Sequence, residues 1–223
     1  MIVAGVDDAG RGPVIGPMVV AGISIDEDKV QELVAIGVRD SKALTPEARK
    51  RLASRIRGLA RRVVVRIVPP EVIDAYVGRE ALGKLNMLEA KVMAEVIAEL
   101  EAEEVYVDAS DVNEERYRRW ILSWLERMGR PAPPRLIARH HADASFPVVA
   151  AASIIAKVTR DEEVEKLKRI YGDFGSGYPS DPRTIRFLKE YLEAHGELPP
   201  IVRRSWRTVQ RLLREHARYG SLF

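Results

Sequence analysis

The 223-residue sequence predicts an α/β fold with a helical C-terminal extension, on three observations. Short β-branched runs alternate with longer stretches of 3.6-residue apolar period, the order that builds a sheet covered by helices. Several of those runs stop at acidic residues, as strand ends that carry chemistry do. Beyond Gly172 the strand-like runs cease and only helix patterns follow. The order implies a sheet domain over residues 1–175 and a helical extension over 176–223.

Residues 2–7 read as a buried strand and "MVVAGISI" (18–25) as a second, joined by a Gly/Pro-rich link that suits an antiparallel return. Thr45-Pro46 starts a helix, with Thr as cap and Pro at the first position, and Leu52, Ile56 and Leu59 mark its face. "VVVRIV" (63–68) is a third strand. Leu85, Leu88, Val92, Val96 and Leu100 line the next helix, and "VYVDAS" (105–110) is a fourth strand ending in an acid. Tyr117, Trp120, Ile121, Trp124, Leu125 and Met128 define another helix, whose aromatics fall at core spacing and read as packing. Pro131, Pro133 and Pro134 mark a loop before a fifth strand, "RLIAR" (135–139). "FPVVAAASIIAKV" (146–158) reads as a helix capped by Ser145, with alanines that allow close approach to a sheet. "GDFGSGYPSDP" (172–182) is a loop, and two further helices follow.

No apolar run reaches the length of a membrane span, and no basic, apolar and cleavage-site succession marks a signal peptide. The chain has no cysteine, which excludes disulfides and thiolate metal sites and fits a reducing cytoplasm. Net charge is +3, and only Asn86, Asn113, Gln31 and Gln210 carry amides, a composition that points weakly to a thermophile.

Asp7, Asp8 and Asp108 stand where apolar strands stop, and Asp143 lies between a strand and the alanine-rich helix. Adjacent acids beside a hydrophobic run repel each other and cost desolvation, so a cluster needs compensating charge. A hard divalent cation, which prefers oxygen ligands, supplies it. Two such ions ~4 Å apart can activate a water and stabilise the leaving oxygen of a phosphodiester. Each acid taken alone is more commonly a turn or cap residue than a metal ligand. Neighbouring strand residues point to opposite faces, so Asp7 and Asp8 can share one site only if the strand ends or bulges between them, a break that Gly10 and Gly12 would permit. The Gly10-Arg11-Gly12 turn allows close approach of backbone to a ligand, or is a simple tight turn.

Together "DDAGRGPVIGP", "DSK" (40–42), "VDASDVN" (107–113), "HADASFPVVAAASIIAKVTRD" (141–161) and "GSGYPSDP" (175–182) resemble archaeal-type ribonuclease HII. The matches stand in the family's order over nearly the whole chain. The resemblance implies a ribonuclease H-like mixed five-stranded sheet flanked by helices. It also implies an endonuclease on the RNA strand of RNA–DNA hybrids and on ribonucleotides embedded in duplex DNA, leaving 3′-hydroxyl and 5′-phosphate ends. By motif position Asp7, Asp8, Asp108 and Asp143 match the family's metal-binding acids, for two Mg²⁺ or Mn²⁺ ions. Gly10, Arg11 and Gly12 match the turn that senses the 2′-hydroxyl, the group that separates RNA from DNA. Tyr178 matches a residue that stacks on the sugar beside the ribonucleotide. One departure is plain: the family pattern begins Asp-Glu, and here Asp8 is one methylene shorter, a shortfall of ~1.5 Å.

Ser41, Lys42 and Lys157 are candidate phosphate contacts, Lys157 sharing a helix face with Ser153, although lysines there serve equally as surface charge. His140 and His141 stand outside the metal set, since hard-metal chemistry does not need them. In the last helix Val202, Trp206, Val209 and Leu213 form an apolar stripe. Arg204, Arg207, Arg211, Arg214 and Arg218 form a second; with Arg203 that is six arginines against one acid, Glu215. Such a stripe suits phosphate binding, and is also what a solvated helix face looks like.

The sequence therefore predicts a monomeric, metal-dependent endoribonuclease acting on RNA–DNA hybrids and ribonucleotide-bearing DNA duplexes. Two other readings stand beside it. One is a weakened, hybrid-binding protein, marked by Asp8. The other is a nuclease of the same fold acting on DNA junctions or transposon ends, which would need no 2′-hydroxyl sensor. The terminal "RYGSLF" is too degenerate to count as a sliding-clamp tag, though family members sometimes carry one there.

Overall fold

The computed structural model describes residues 1–39, 44–77 and 84–220. Its sheet has the order β3-β2-β1-β4-β5. The strands are β1 (Ile2–Ala9), β2 (Met18–Asp26), β3 (Arg62–Val68), β4 (Glu104–Asp108) and β5 (Arg135–Arg139). β1 pairs antiparallel with β2 and parallel with β4, and β4 pairs parallel with β5. The sheet is therefore mixed, as predicted. Among the described residues the helices are α1 (Val30–Ala35), α2 (Pro46–Leu59), α3 (Pro70–Val77), α4 (Lys84–Leu100), α5 (Glu114–Arg127), α6 (Ala142–Ser145), α7 (Pro147–Tyr171), α8 (Pro182–His195) and α9 (Arg207–Gly220), with a 3₁₀ turn at Glu27–Lys29. None is long and apolar enough to cross a membrane.

Local chemistry explains most boundaries. Thr45 Oγ1 accepts from the Ala48 N–H, Asn113 caps α5 through Arg116 N, and Asp181 caps α8 through Arg183 N. Gly196, at φ +74°, ends α8 in the left-handed conformation that glycine adopts without steric cost. α1 and α3 have no counterpart in the sequence reading. At six and eight residues they span too few turns for a period to show. The last helix begins at Arg207, later than its arginine spacing suggested, because residues 199–206 form turns first.

The described residues form two compact units: Met1–Ala9, Val19–Ile67 and Gly83–Arg160, and then Gly10–Met18, Val68–Leu82 and Asp161–Phe223. In the first, α7 covers one face of the sheet and α4 the other. A Cβ added at Gly5 would lie 2.2–2.4 Å from the backbone of Val148 and Val149, so α7 rests backbone to backbone on β1. A Cβ at Gly22 would meet Val96 and Leu100 of α4, and Val6, at 2.6–3.3 Å. The core between sheet and α7 includes Val3, Ile23, Val149, Ala151 and Ile154, with the alanines giving the close approach predicted for them. The second unit packs Val14, Ile15, Phe174, Leu188, Leu192, Val209 and Leu212 into its own apolar centre.

Candidate active site

The β1–β4 register assembles the site. The parallel ladder pairs Gly5 with Tyr106 and Val6 with Val107, so one step on Asp7 stands beside Asp108. Residues level in register point to the same face of adjacent strands, which lie about 4.8 Å apart. That face is the one covered by α7, because Gly5 and Asp7 share it. Both carboxylates thus emerge where β1, the strand flanked by one antiparallel and one parallel neighbour, meets β4. This is the place in an open α/β sheet where ligands bind.

Asp7 is buried, at 4% exposure. Its Oδ1 accepts from the Asp8 N–H at 2.7 Å, and the Ser153 hydroxyl donates to the same carboxylate. Lys157 Nζ donates to Ser153 Oγ at 2.7 Å. An ammonium, a hydroxyl and a carboxylate therefore form one relay from α7 to β1. Burial pushes the Asp7 carboxyl up to about 7, and Asp108 adds to the rise. The Ser153 and Asp8 hydrogen bonds and the Lys157 charge offset only part of it. Asp108 is likewise raised by burial and by Asp143, against the Ala142 N–H, which donates to its Oδ1 at 2.9 Å. That bond ties the end of β4 to the start of α6, the short helix that carries Asp143. Two acids on one face with a third beside them form a donor set of oxygens with unbalanced negative charge, which suits a hard divalent cation. Among the described residues no three acids or histidines are gathered tightly enough to cage an ion by themselves. Mg²⁺ needs no such cage, being held by one or two carboxylates with waters and substrate phosphates.

Asp8 is placed differently. The ladder to β2 runs through Asp7↔Ala21, Asp8↔Val20 and Ala9↔Val19 without a skipped residue, so the bulge expected between the two acids does not occur. The backbone reverses only at Gly10, at φ +88°. Continuous hydrogen bonding to buried β2 holds β1 extended through both acids. The Asp8 side chain consequently starts from the α4 face, opposite Asp7.

Ser41 and Lys42 lie outside the described residues. Lys157 faces Asp7 through Ser153 rather than standing as an isolated surface charge. His140 Nδ1 meets the Ala109 carbonyl at 3.1 Å, and the His140 backbone N–H donates to Glu114, while His141 sits in the left-handed region at φ +53°. In the second unit, Tyr178 is 39% exposed and its ring edge lies 3.2–3.6 Å from where a Gly12 Cβ would be, so the missing side chain makes room for the ring. Arg207, Arg211, Arg214 and Arg218 are exposed along α9, whose opposite face buries Val209 and Leu212. Arg204 precedes the helix. Its N–H donates to Asp74 and its guanidinium to the Leu198 carbonyl.

Three features escaped the sequence reading. Arg203, counted there with the basic stripe, is fully buried. Trp206 donates its indole N–H to the Gly12 carbonyl at 3.2 Å besides packing. Glu89, fully buried, accepts from Ser110 Oγ and, at 2.9 Å, from Tyr117 OH, fastening the loop after Asp108 to α4. Nothing in spacing separates a buried arginine or glutamate from an exposed one.

The ribonuclease HII family model matches residues 4–209. The ribonuclease HII of Thermococcus kodakarensis is 49% identical over 214 residues, covering 95% of this chain and 90% of that protein. The crystal structure of ribonuclease H2 from Pyrococcus horikoshii superposes with a TM-score of 0.88 at 45% identity, covering 97% of this chain and 99% of that one. A ribonuclease HII solved in complex with PCNA from Archaeoglobus fulgidus gives 0.79 at 45% identity, over 93% and 96%. With the carboxylates on the sheet and these matches over nearly its full length, the chain belongs to the ribonuclease HII family, metal-dependent endoribonucleases that cleave the RNA of RNA–DNA hybrids.

Proposed function

We propose that this protein cuts RNA–DNA hybrids and incises at single ribonucleotides in duplex DNA, by two-metal-ion hydrolysis that leaves 3′-hydroxyl and 5′-phosphate ends. The observation that carries the reading is the pair of carboxylates, Asp7 and Asp108, level in register on one sheet face, with Asp143 beside Asp108. Asp7 and Asp108 would hold Mg²⁺ or Mn²⁺ most centrally, with Asp143 beside them; Asp8, which leaves β1 on the opposite face, would complete the shell only through a bridging water or a shift of the strand end. The ions supply a water activated at neutral pH and charge stabilisation for the departing 3′-oxygen. Ser153 orients the Asp7 carboxylate and Lys157 balances part of its charge before the ions arrive. Gly10, Arg11 and Gly12 present backbone to the ribose 2′-hydroxyl, and Tyr178 stacks on the neighbouring sugar. Ser41, Lys42, Arg204, Arg207 and Arg211 bind phosphates. The Archaeoglobus fulgidus relative was solved with PCNA, so a sliding clamp is a candidate partner.

The test compares an RNA–DNA hybrid, a DNA duplex with one ribonucleotide and the all-DNA duplex, each with Mg²⁺, Mn²⁺ or EDTA. Cutting of the first two alone, and only with metal, is expected. Binding without turnover would reduce the protein to a hybrid binder, and cutting of all-DNA would move it to another nuclease class.

The α9 stripe makes a separate, quantitative prediction. Arg207→Ala and Arg211→Ala are each expected to weaken binding of all duplexes alike. Each should flatten the slope of log affinity against log salt by about 1, the signature of one lost phosphate contact. A titration of duplex affinity between 50 and 200 mM salt, on the order used for such slopes, measures it.

A further inference from the structure

We infer that Arg203 is a positioning residue that fixes the Gly10-Arg11-Gly12 turn in the geometry that discriminates a ribose 2′-hydroxyl; the inference rests on the role proposed above for that turn. Arg203 is the largest fully buried side chain outside the apolar core, and its guanidinium is spent on backbone. Nε donates to the Gly16 carbonyl at 3.0 Å, one terminal nitrogen to Arg11 at 3.0 Å and the other to Gly10 at 2.6 Å. Trp206 lies against the guanidinium, 4.9 Å from ring centroid to Cζ, and donates to the Gly12 carbonyl. The backbone is pinned as well, with Arg203 N donating to Val14 O and Gly16 N to Ile201 O. A single cation thus spans the turn from Gly10 to Gly16.

The consequence follows from peptide geometry. In a trans peptide the N–H points opposite to the C=O. With the carbonyls of Gly10 and Arg11 both drawn to one guanidinium, the N–H groups of Arg11 and Gly12 are aimed side by side in the opposite direction. The Gly12 carbonyl, held by the Trp206 indole and not by the guanidinium, belongs to a peptide whose nitrogen is Pro13, which has no N–H to offer. The positive charge on the carbonyl side also polarises both peptides and strengthens their donors. A planar fork with five donors in fixed directions can hold three carbonyls at once, whereas a lysine ammonium cannot match that spacing.

The test measures affinity in EDTA, where nothing is cut, for a DNA duplex carrying one ribonucleotide and for the all-DNA duplex of the same sequence. Wild-type protein is expected to prefer the former. Arg203→Lys keeps the charge and loses the fork, and is expected to bring the affinity ratio near one. Its all-DNA affinity should stay within about twofold of wild type, as loss of geometry without loss of charge requires. Trp206→Phe keeps the packing ring and removes one donor, and is expected to lower the ratio partway. If Arg203→Lys does not fold, the Trp206→Phe ratio decides. A ratio unchanged in the folded variants overturns the inference. So does an equal fall on both duplexes, which is what a general loss of structure produces. A wild type with no preference overturns the reading of the turn itself, and the inference with it.

Discussion

Asp7→Asn is expected to abolish cleavage and at the same time to raise the melting temperature of the metal-free protein at pH 8. The two effects have one cause. In the metal-free fold, burial and the Asp108 charge raise the Asp7 carboxyl from an ordinary value of 3.8 to about 7. The folded state therefore binds a proton that the unfolded state has released, over the interval between those values. Stability falls as pH rises through that interval, and above about 7 the full penalty of a buried, repelled carboxylate is present. An asparagine removes the penalty. Its side-chain oxygen can still accept from the Asp8 N–H. A gain of at least about 3 °C is expected at pH 8, on the scale of 2–4 °C per kcal/mol for a chain of this size, shrinking towards zero near pH 4. Mg²⁺ should raise the wild-type melting temperature, because it binds the folded state alone, and should barely move that of the variant. Turnover of the single-ribonucleotide duplex should drop by about 10³-fold or more, since a neutral amide cannot replace the charged ligand that the ions need. Thermal melts at pH 4 and 8, with and without Mg²⁺, read the first effect, and single-turnover rates read the second. A variant less stable than wild type at pH 8 would mean that Asp7 is compensated already.

The second large effect is expected at position 8. Asp8→Ala should lower kcat/KM by about a hundredfold, the scale associated with displacing a reacting group by ~1 Å. Asp8→Glu should equal or exceed the wild type. Asp8 sits in unbroken register with Val20 and leaves the strand on the face opposite Asp7, so any ion it helps to hold lies at the limit of a short side chain. A glutamate adds one methylene of reach. If Asp8→Ala cuts as fast as wild type, Asp8 has no place in the shell; if Asp8→Glu is slower, the shorter chain is fitted to its site. Steady-state kinetics on the single-ribonucleotide duplex separate these outcomes.

The strands were legible because buried β-branched runs leave little choice of structure, and the antiparallel return to β2 followed from the glycines and prolines between the runs. The Asp7–Asp108 pairing was only half legible. That Asp108 ends a strand and that Asp7 lies near the end of another, which runs on to Ala9, can be read in part from the chain, but their adjacency depends on β1 and β4 being neighbours in parallel register, a long-range fact with no local trace. The supposed bulge at Asp7–Asp8 shows the opposite error. Gly10 and Gly12 do break the backbone, but after the strand, because pairing with β2 holds it straight through Ala9. Arg203 was misread for a third reason: its neighbours in sequence are solvent-facing arginines, and only the fold turns it inward upon three carbonyls.

Gly5 has no functional group, yet it bears on the ionic character of the carboxylate two residues away. The absent methyl lets α7 rest directly on β1, and that contact decides how near the Lys157–Ser153 relay comes to the Asp7 oxygens. Any side chain there would lift the helix, thin the counter-charge around Asp7 and leave Asp7 and Asp108 themselves untouched in sequence. A side chain at position 5 thus disturbs the site for a reason that no inventory of reactive groups would register.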